Sequence, residues 1–489
     1  MATKKSNIVL IYVDNHPGAV MGCAGNAEAY TPNLDRLSQN ATLFTEAHCP
    51  NAMCSPCRAS VLTGLMPSQH GIHTWIDEYF KDDWPDNWNA IEEFDTLPEK
   101  LAREGYDTAI IGKYHLGNAE SATDMFKKCV TMQIGHVQSF YENDIIDGDE
   151  RYKHPGHSVD FFTDKAVEYI DQRSEEKEKP FFLFLTYPAP YGHWPAIQGE
   201  PVNRYSDRFR DSPMLSVPRE GISKQAIDWI SILKEKGFGD DEYDALLQIP
   251  NDLPTIRNYF SQISIVDDGV GRVLEALENK SLVDDTLFIY ASDHGMSLGQ
   301  HGFWGHGEDT WPSNTHREAN HIPLIIKAPD DGNKQKVVDS LVGTTDIYAT
   351  VLDYVGLEMP TIKESPARSM RPLIENENIV WDNACFMEQE ETRAIRTSQW
   401  LFMMRIQNTE YDFKHELYDL VNDPDERVDL AQDPEYADVV SKLSARLSEY
   451  FSDYANPCWD LWKGGTVKSN STRPFLWKET WGDSWAPEY

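Results

Sequence analysis

Ser6-Asn7-Ile8-Val9-Leu10-Ile11-Tyr12-Val13-Asp14-Asn15 is an apolar, β-branched run that stops on two polar residues. It shows no apolar–polar alternation. That is the pattern of a strand buried on both faces, as in a parallel sheet covered by helices. The polar stop puts Asp14 and Asn15 at the strand's carboxyl end, where open α/β sheets build their sites. The same design recurs down the chain. Residues 108–111 end in Gly112-Lys113-Tyr114-His115, and 180–187 end in Pro188-Ala189-Pro190-Tyr191-Gly192-His193. Residues 286–291 end in Ser292-Asp293-His294-Gly295, and 321–328 form a fifth run. Between them, Thr31 before Pro32 predicts a helix start with Thr31 as N-cap, and 258–277 shows helical periodicity. Strands alternating with helices predict an α/β fold: a large, mostly parallel, doubly wound sheet flanked by helices.

Near residue 375 the pattern changes. Segments 394–397, 400–406 and 417–420 alternate, and 437–451 is amphipathic. This predicts a small C-terminal antiparallel sheet with one helix. The domain reading is 1–375 as the main α/β domain, 376–457 as a small α+β subdomain and 458–489 as a Trp-rich tail.

The 489 residues carry 44 Lys+Arg against 80 Asp+Glu, a net charge of −36. Such a chain is a poor general binder of nucleic acid or anionic membranes. No apolar stretch approaches the ~20 residues of a membrane span. The start, Met1 to Ser6, lacks a long apolar core and cleavage site behind it, so the expected location is cytoplasmic. Seven scattered cysteines are an odd count and argue against a disulfide framework.

The sharpest motif is Cys54-Ser55-Pro56-Cys57-Arg58-Ala59-Ser60-Val61-Leu62-Thr63-Gly64. As a bare Cys-x-x-Cys it would suit a redox pair or half a zinc site, but neither the thioredoxin-like context nor a second pair is present. The longer string resembles the signature of type I sulfatases, in the alkaline phosphatase superfamily: Cys-x-Pro-x-Arg followed by Leu-Thr-Gly. Gly112-Lys113-Tyr114-His115-Leu116-Gly117, Ser292-Asp293-His294-Gly295 and Glu416-Leu417-Tyr418-Asp419-Leu420 resemble later blocks of that family.

The resemblance implies that a formylglycine-generating maturation enzyme oxidises Cys54 to formylglycine. Its hydrated aldehyde offers one hydroxyl to attack sulfur and a second to expel sulfate afterwards. The resemblance also implies one divalent metal ion, held by Asp14, Asn15, Asp293, His294 and the oxygen of modified residue 54. Asn15 stands where most sulfatases have an acid, and His294 where many have an amide. That leaves the ion open between Ca²⁺ and Mn²⁺. Arg58 and His115 are implied to contact the formylglycine diol, and Lys113 a sulfate oxygen. His193 is implied to contact the leaving-group oxygen. The block from Gly299 to His306 resembles one that ends near a substrate-binding lysine, but no lysine appears before Lys327. His306 is the expected substitute, with His301 and Arg317 as alternatives.

The resulting expectation is an arylsulfatase-like sulfuric ester hydrolase. It would cleave aryl or small alkyl sulfates, because −36 charge repels a polysulfated glycan. An amide at position 15 and a histidine at 294 also resemble phosphonate monoester hydrolases, the alternative activity; Lys113 and His115 argue against it. A binding protein with an unmodified Cys54 is a third reading, disfavoured by the complete polar set. The tail holds five of the 14 tryptophans. Rings in that number are not left in water, which predicts docking on the chain itself or, preferentially, on a neighbour in a homodimer or tetramer.

Overall fold

The structure is a computed structural model that describes residues 5–176, 179–193, 202–238, 241–329, 335–407 and 409–489. Met1 to Lys4, in the start read above as cytoplasmic, lie outside the described residues. The centre is a mixed sheet. From edge to edge its strands are Lys336–Val338, Thr42–His48, His321–Lys327, Thr286–Ser292, Asn7–Asp14, Phe181–Pro190, Asp107–Gly112, Lys128–Met132, Asn143–Asp147 and Glu150–His154. Val342–Gly343 also pairs with Thr42–His48.

Asn7–Asp14 runs parallel to both its neighbours, Phe181–Pro190 and Thr286–Ser292, and Asp107–Gly112 is parallel to Phe181–Pro190. The carboxyl ends of these four strands therefore meet along one edge of the sheet. Antiparallel pairing is confined to the flanks. His321–Lys327 opposes both its neighbours, which carries Lys327 to the opposite edge, beside Asp284.

Every residue of Asn7–Asp14 is buried, and alternate side chains serve two helical layers. Ile8, Leu10 and Tyr12 pack with Cys57, Val61 and Val351 on one face. Val9, Ile11 and Val13 pack with Phe162, Val266 and Val270 on the other. The helix Pro32–Ser38 begins where Thr31 predicts, but Thr31 makes no side-chain cap. Asp267, from the long helix Leu253–Asn279, accepts instead from the Asn33 and Leu34 N–H groups. The Thr31 hydroxyl is occupied by Gly22 N–H at 2.8 Å.

The second sheet is antiparallel: Ala384–Gln389, Thr392–Thr397, Trp400–Arg405 and Glu416–Asp419, covered by the helix Ala437–Tyr454. Among the described residues no helix is long and apolar enough to cross a membrane.

The tail contains a helix, Pro474–Trp481, and is seated on its own chain, one of the two dockings expected. Leu461, Val467, Leu476, Trp477 and Trp485 join Trp229, Trp304 and Trp311 in one core. Polar anchoring fixes this arrangement. Arg473, fully buried, donates to Glu391 and to the carbonyls of Glu308 and Thr310. Trp477 and Trp485 are thus covered by their own chain, while Trp481 stays exposed.

Buried histidines make acid the weak side of this fold. Burial pulls His16, His48 and His157 each down to about 4. In the unfolded chain they take up protons near the ordinary value of about 6.5. Between those values the unfolded state binds more protons, so stability is full above pH ~6.5 and is lost as pH falls toward 4. Thermal unfolding followed against pH should show the midpoint dropping steeply across that window and nearly flat from about pH 7 to 8.

Candidate active site

The helix Cys54–Thr63 starts after Met53, buried along its whole length, at the sheet edge that carries the polar strand ends. Its Cys-x-Pro-x-Arg spacing places Arg58 one turn after Cys54, on the same face. Gly64 ends it with φ +74°, where a Cβ would come within 2.7 Å of the Tyr348 ring. Cys54 Sγ lies 3.4 Å from Asp14 Oδ1 and 3.6 Å from His294 Nε2. Burial and the Asp14 carboxylate push the Cys54 thiol well above its ordinary range. An unmodified thiol here stays neutral and is a poor nucleophile.

Arg58 bridges the carboxylates. It donates to Asp293 Oδ2 at 2.9 Å and Asp14 Oδ2 at 3.4 Å, and to the Lys113 carbonyl at 2.9 Å. Lys113 Nζ reaches Asp14 Oδ2 at 2.5 Å. Burial alone would raise Asp14, but Lys113 and Arg58 outweigh it and hold the carboxyl below its usual range. Asp293 moves up, by burial and the neighbouring Asp14 charge. Two fully buried carboxylates are thus balanced by two fully buried cations. Such a cluster costs stability unless it serves the site.

Lys113 and His115 both reach this centre through a turn rather than by strand alternation. The strand ends at Gly112, whose φ of +123° turns the backbone, and His115 has φ +59°. Gly112 is required there: a Cβ would lie 1.8 Å from the Thr186 carbonyl oxygen. His115 Nε2 donates to the Ile76 carbonyl at 2.8 Å, which leaves Nδ1 as a buried lone pair without a partner. Burial, with Lys113 and Arg58 nearby, keeps this imidazole neutral by pulling it well below its ordinary value.

Cys54 and His115 open onto a cavity of about 1110 Å³ that is also lined by His193, His306, Glu308 and Asp309. His193 and His306 have ring centroids 4.4 Å apart and share Asp309 Oδ2, at 3.4 and 3.0 Å. Of the three candidates to replace the lysine, His306 alone lines this cavity. His301 pairs with Glu318 and Arg427, and Arg317 with Glu46. Asp309 and Glu308 were missed from sequence, although Asp309 follows His306 by three residues. Burial, with Asp309 beside it, pushes Glu308 well up, so this wall presents a carboxylic acid.

A family model described as sulfatase matches residues 6–357. The chain belongs to the sulfatase family. A second model, the C-terminal part of N-sulphoglucosamine sulphohydrolase, matches residues 307–453. The N-acetylglucosamine-6-O-sulfatase of Bacteroides thetaiotaomicron is 26% identical, over 92% of this chain and 87% of its own. The solved structure of BT4656, in complex with its substrate D-glucosamine-2-N,6-O-disulfate, aligns with TM-score 0.72 at 23% identity, covering 92% of this chain and 98% of the other. The phosphonate monoester hydrolase of Agrobacterium radiobacter shares the fold at TM-score 0.66 and 19% identity, over 93% and 97% of the two chains.

The family implies a divalent metal and a formylglycine, and the residues of this sulfatase fit both. One ligand atom each from Asp14, Cys54, Asp293 and His294 lie within 4.8 Å of one another. Asn15, held at φ +65°, adds a side-chain oxygen that is buried without a hydrogen-bond partner. An orphaned hard oxygen beside two carboxylates suits a cation. Replacing it by an anionic one should favour calcium. Asn15→Asp is expected to shift metal content toward Ca²⁺ when the chelated protein is refilled from an equimolar Ca²⁺/Mn²⁺ mixture. An unchanged ratio would remove residue 15 from the ligand set.

Proposed function

We propose that this sulfatase releases inorganic sulfate from a monosulfate ester of a saccharide-sized, hydroxyl-bearing alcohol, with residue 54 as nucleophile. The observation that carries the reading is the convergence of Cys54, Arg58, Lys113, His115, Asp14 and Asp293 in one buried cluster at the floor of an open cavity. That cavity is larger than an aryl or small alkyl sulfate requires. The relative that removes sulfate from N-acetylglucosamine supports the larger alcohol.

Once a maturation enzyme has converted Cys54 to formylglycine, that group supplies an oxygen nucleophile and a way to expel the bound sulfate. Asp14, Asn15, Asp293 and His294 would hold one divalent cation, Ca²⁺ or Mn²⁺, which would supply Lewis acidity toward a sulfate ester. The chain's own residues do the rest. Arg58 donates to both carboxylates and keeps them beside residue 54. Lys113 offers its ammonium to a sulfate oxygen. His115 offers Nδ1 as a proton acceptor in the cavity of residue 54. On the alcohol side, His193 delivers a proton to the departing oxygen, and His306 holds a sulfate oxygen where a lysine is expected. All seven cysteines are unpaired, which supports a reducing, cytoplasmic setting.

Asn15 and His294 favour a second reading, a phosphonate monoester hydrolase on the same scaffold. Initial rates on 4-nitrophenyl sulfate and 4-nitrophenyl phenylphosphonate separate the two. The sulfate ester should be faster in kcat/KM by at least about 100-fold, ~2.7 kcal/mol at the transition state. A faster phosphonate would reverse the assignment.

A further inference from the structure

Resting on the sulfatase reading above, we infer that the C-terminal segment is the specificity wall of this site, with Asn470 as the residue that reads the alcohol. Asn470, Ser471, Thr472, Pro474 and Lys478 line the same cavity as Cys54 and His193. The segment is held there by a buried clip. Glu390 accepts from Ser471 Oγ at 2.7 Å, from Thr472 N and Oγ1 at 3.0 Å each, and from Trp477 Nε1 at 2.6 Å. Next to it, Arg473 ties the segment to Glu391 and to the backbone of the loop that carries His306 and Asp309. A wall fastened this way moves with the catalytic loop rather than as a loose tail.

The clip also decides which groups are left for a ligand. The Ser471 and Thr472 hydroxyls are committed to Glu390. Asn470 Oδ1 accepts from Asp77 N–H at 3.1 Å, which orients the amide and leaves its NH₂ as the donor. The same cavity is lined by Asp77, which adjoins Asn470, and by Glu308 and Trp75. Amide donor, carboxyl groups and an aromatic face together suit the hydroxyls and the C–H face of a sugar ring. Among the described residues Lys478 is the single Lys or Arg lining the cavity, and no ion pair holds it. A substrate with several further anions would face Asp77 and Asp83 with one lysine to meet it. The class that fits is a monosulfated neutral saccharide.

The test compares wild type, Asn470→Ala and the anchor variant Glu390→Gln on N-acetylglucosamine 6-sulfate and 4-nitrophenyl sulfate, with thermal midpoints measured alongside. The expected result is a fall in the sugar-to-nitrophenyl ratio of kcat/KM of roughly tenfold in Asn470→Ala, carried by KM, as for one or two lost hydrogen bonds. Glu390→Gln should lower the same ratio by loosening the wall. Equal losses on both esters would show a merely structural segment and overturn the inference, as would an unchanged ratio or a wild type that prefers the nitrophenyl ester. If wild type releases sulfate from neither, it is the sulfatase reading that fails.

Discussion

Cys54→Ala is expected to lower sulfate release by at least about 10⁴-fold, because without residue 54 there is no nucleophile to split the reaction into two steps. The fold and the metal content should hardly change. The thiol contributes only contacts of 3.4 and 3.6 Å, whereas Asp14, Asp293, Arg58 and Lys113 are held mainly by one another. Cys54→Ser should be nearly as inactive unless the host's maturation enzyme accepts serine. Rates of sulfate release, with bound metal measured on the same samples, check this. Substantial turnover by Cys54→Ala would remove residue 54 from the chemistry.

The second large effect is on stability. Truncation after Pro457 removes Leu461, Val467, Leu476, Trp477 and Trp485 from a shared core. At about 1.5–3 kcal/mol per buried large apolar side chain, the loss is on the order of 10 kcal/mol. That is comparable to the whole net stability of a typical domain, about 5–15 kcal/mol. It also strips Glu391, fully buried, of its partner Arg473. The truncated chain should therefore be largely insoluble or unfolded when expressed, which solubility and circular dichroism would show. A soluble, well-folded product with the parent's KM would contradict both the packing role and the wall proposed for this segment.

The parts of the site legible in the sequence are those fixed by local geometry. Asp14, Asp293 and His294 end apolar strands, and parallel pairing then brings those ends together. Arg58 follows Cys54 by one helical turn. Lys113 and His115 are legible by resemblance alone, because a glycine-dependent turn, rather than regular strand geometry, presents them. What stayed hidden depends on long-range contacts. Asp267 caps a helix more than two hundred residues away, displacing the hydroxyl expected to do so. The tail's aromatic content signalled burial, but long-range polar contacts such as those of Arg473 and Glu390 determine where it is buried. Asp309 carries no motif, and Asn470 only a glycosylation-like Asn-Ser-Thr triplet; their roles exist once the tail and the catalytic loop are side by side.

The central claim is that residue 54 works as a formylglycine. Its most direct test is mass spectrometry of the proteolytic peptide containing residues 54–58, taken from enzyme whose sulfate release has just been measured. The account predicts the aldehyde, lighter than the cysteine peptide by about one water, or its hydrate, nearly isobaric with cysteine but inert to thiol alkylation, both reactive toward hydrazides and in proportion to specific activity across preparations. Full activity from enzyme in which residue 54 is recovered entirely as a thiol would contradict it.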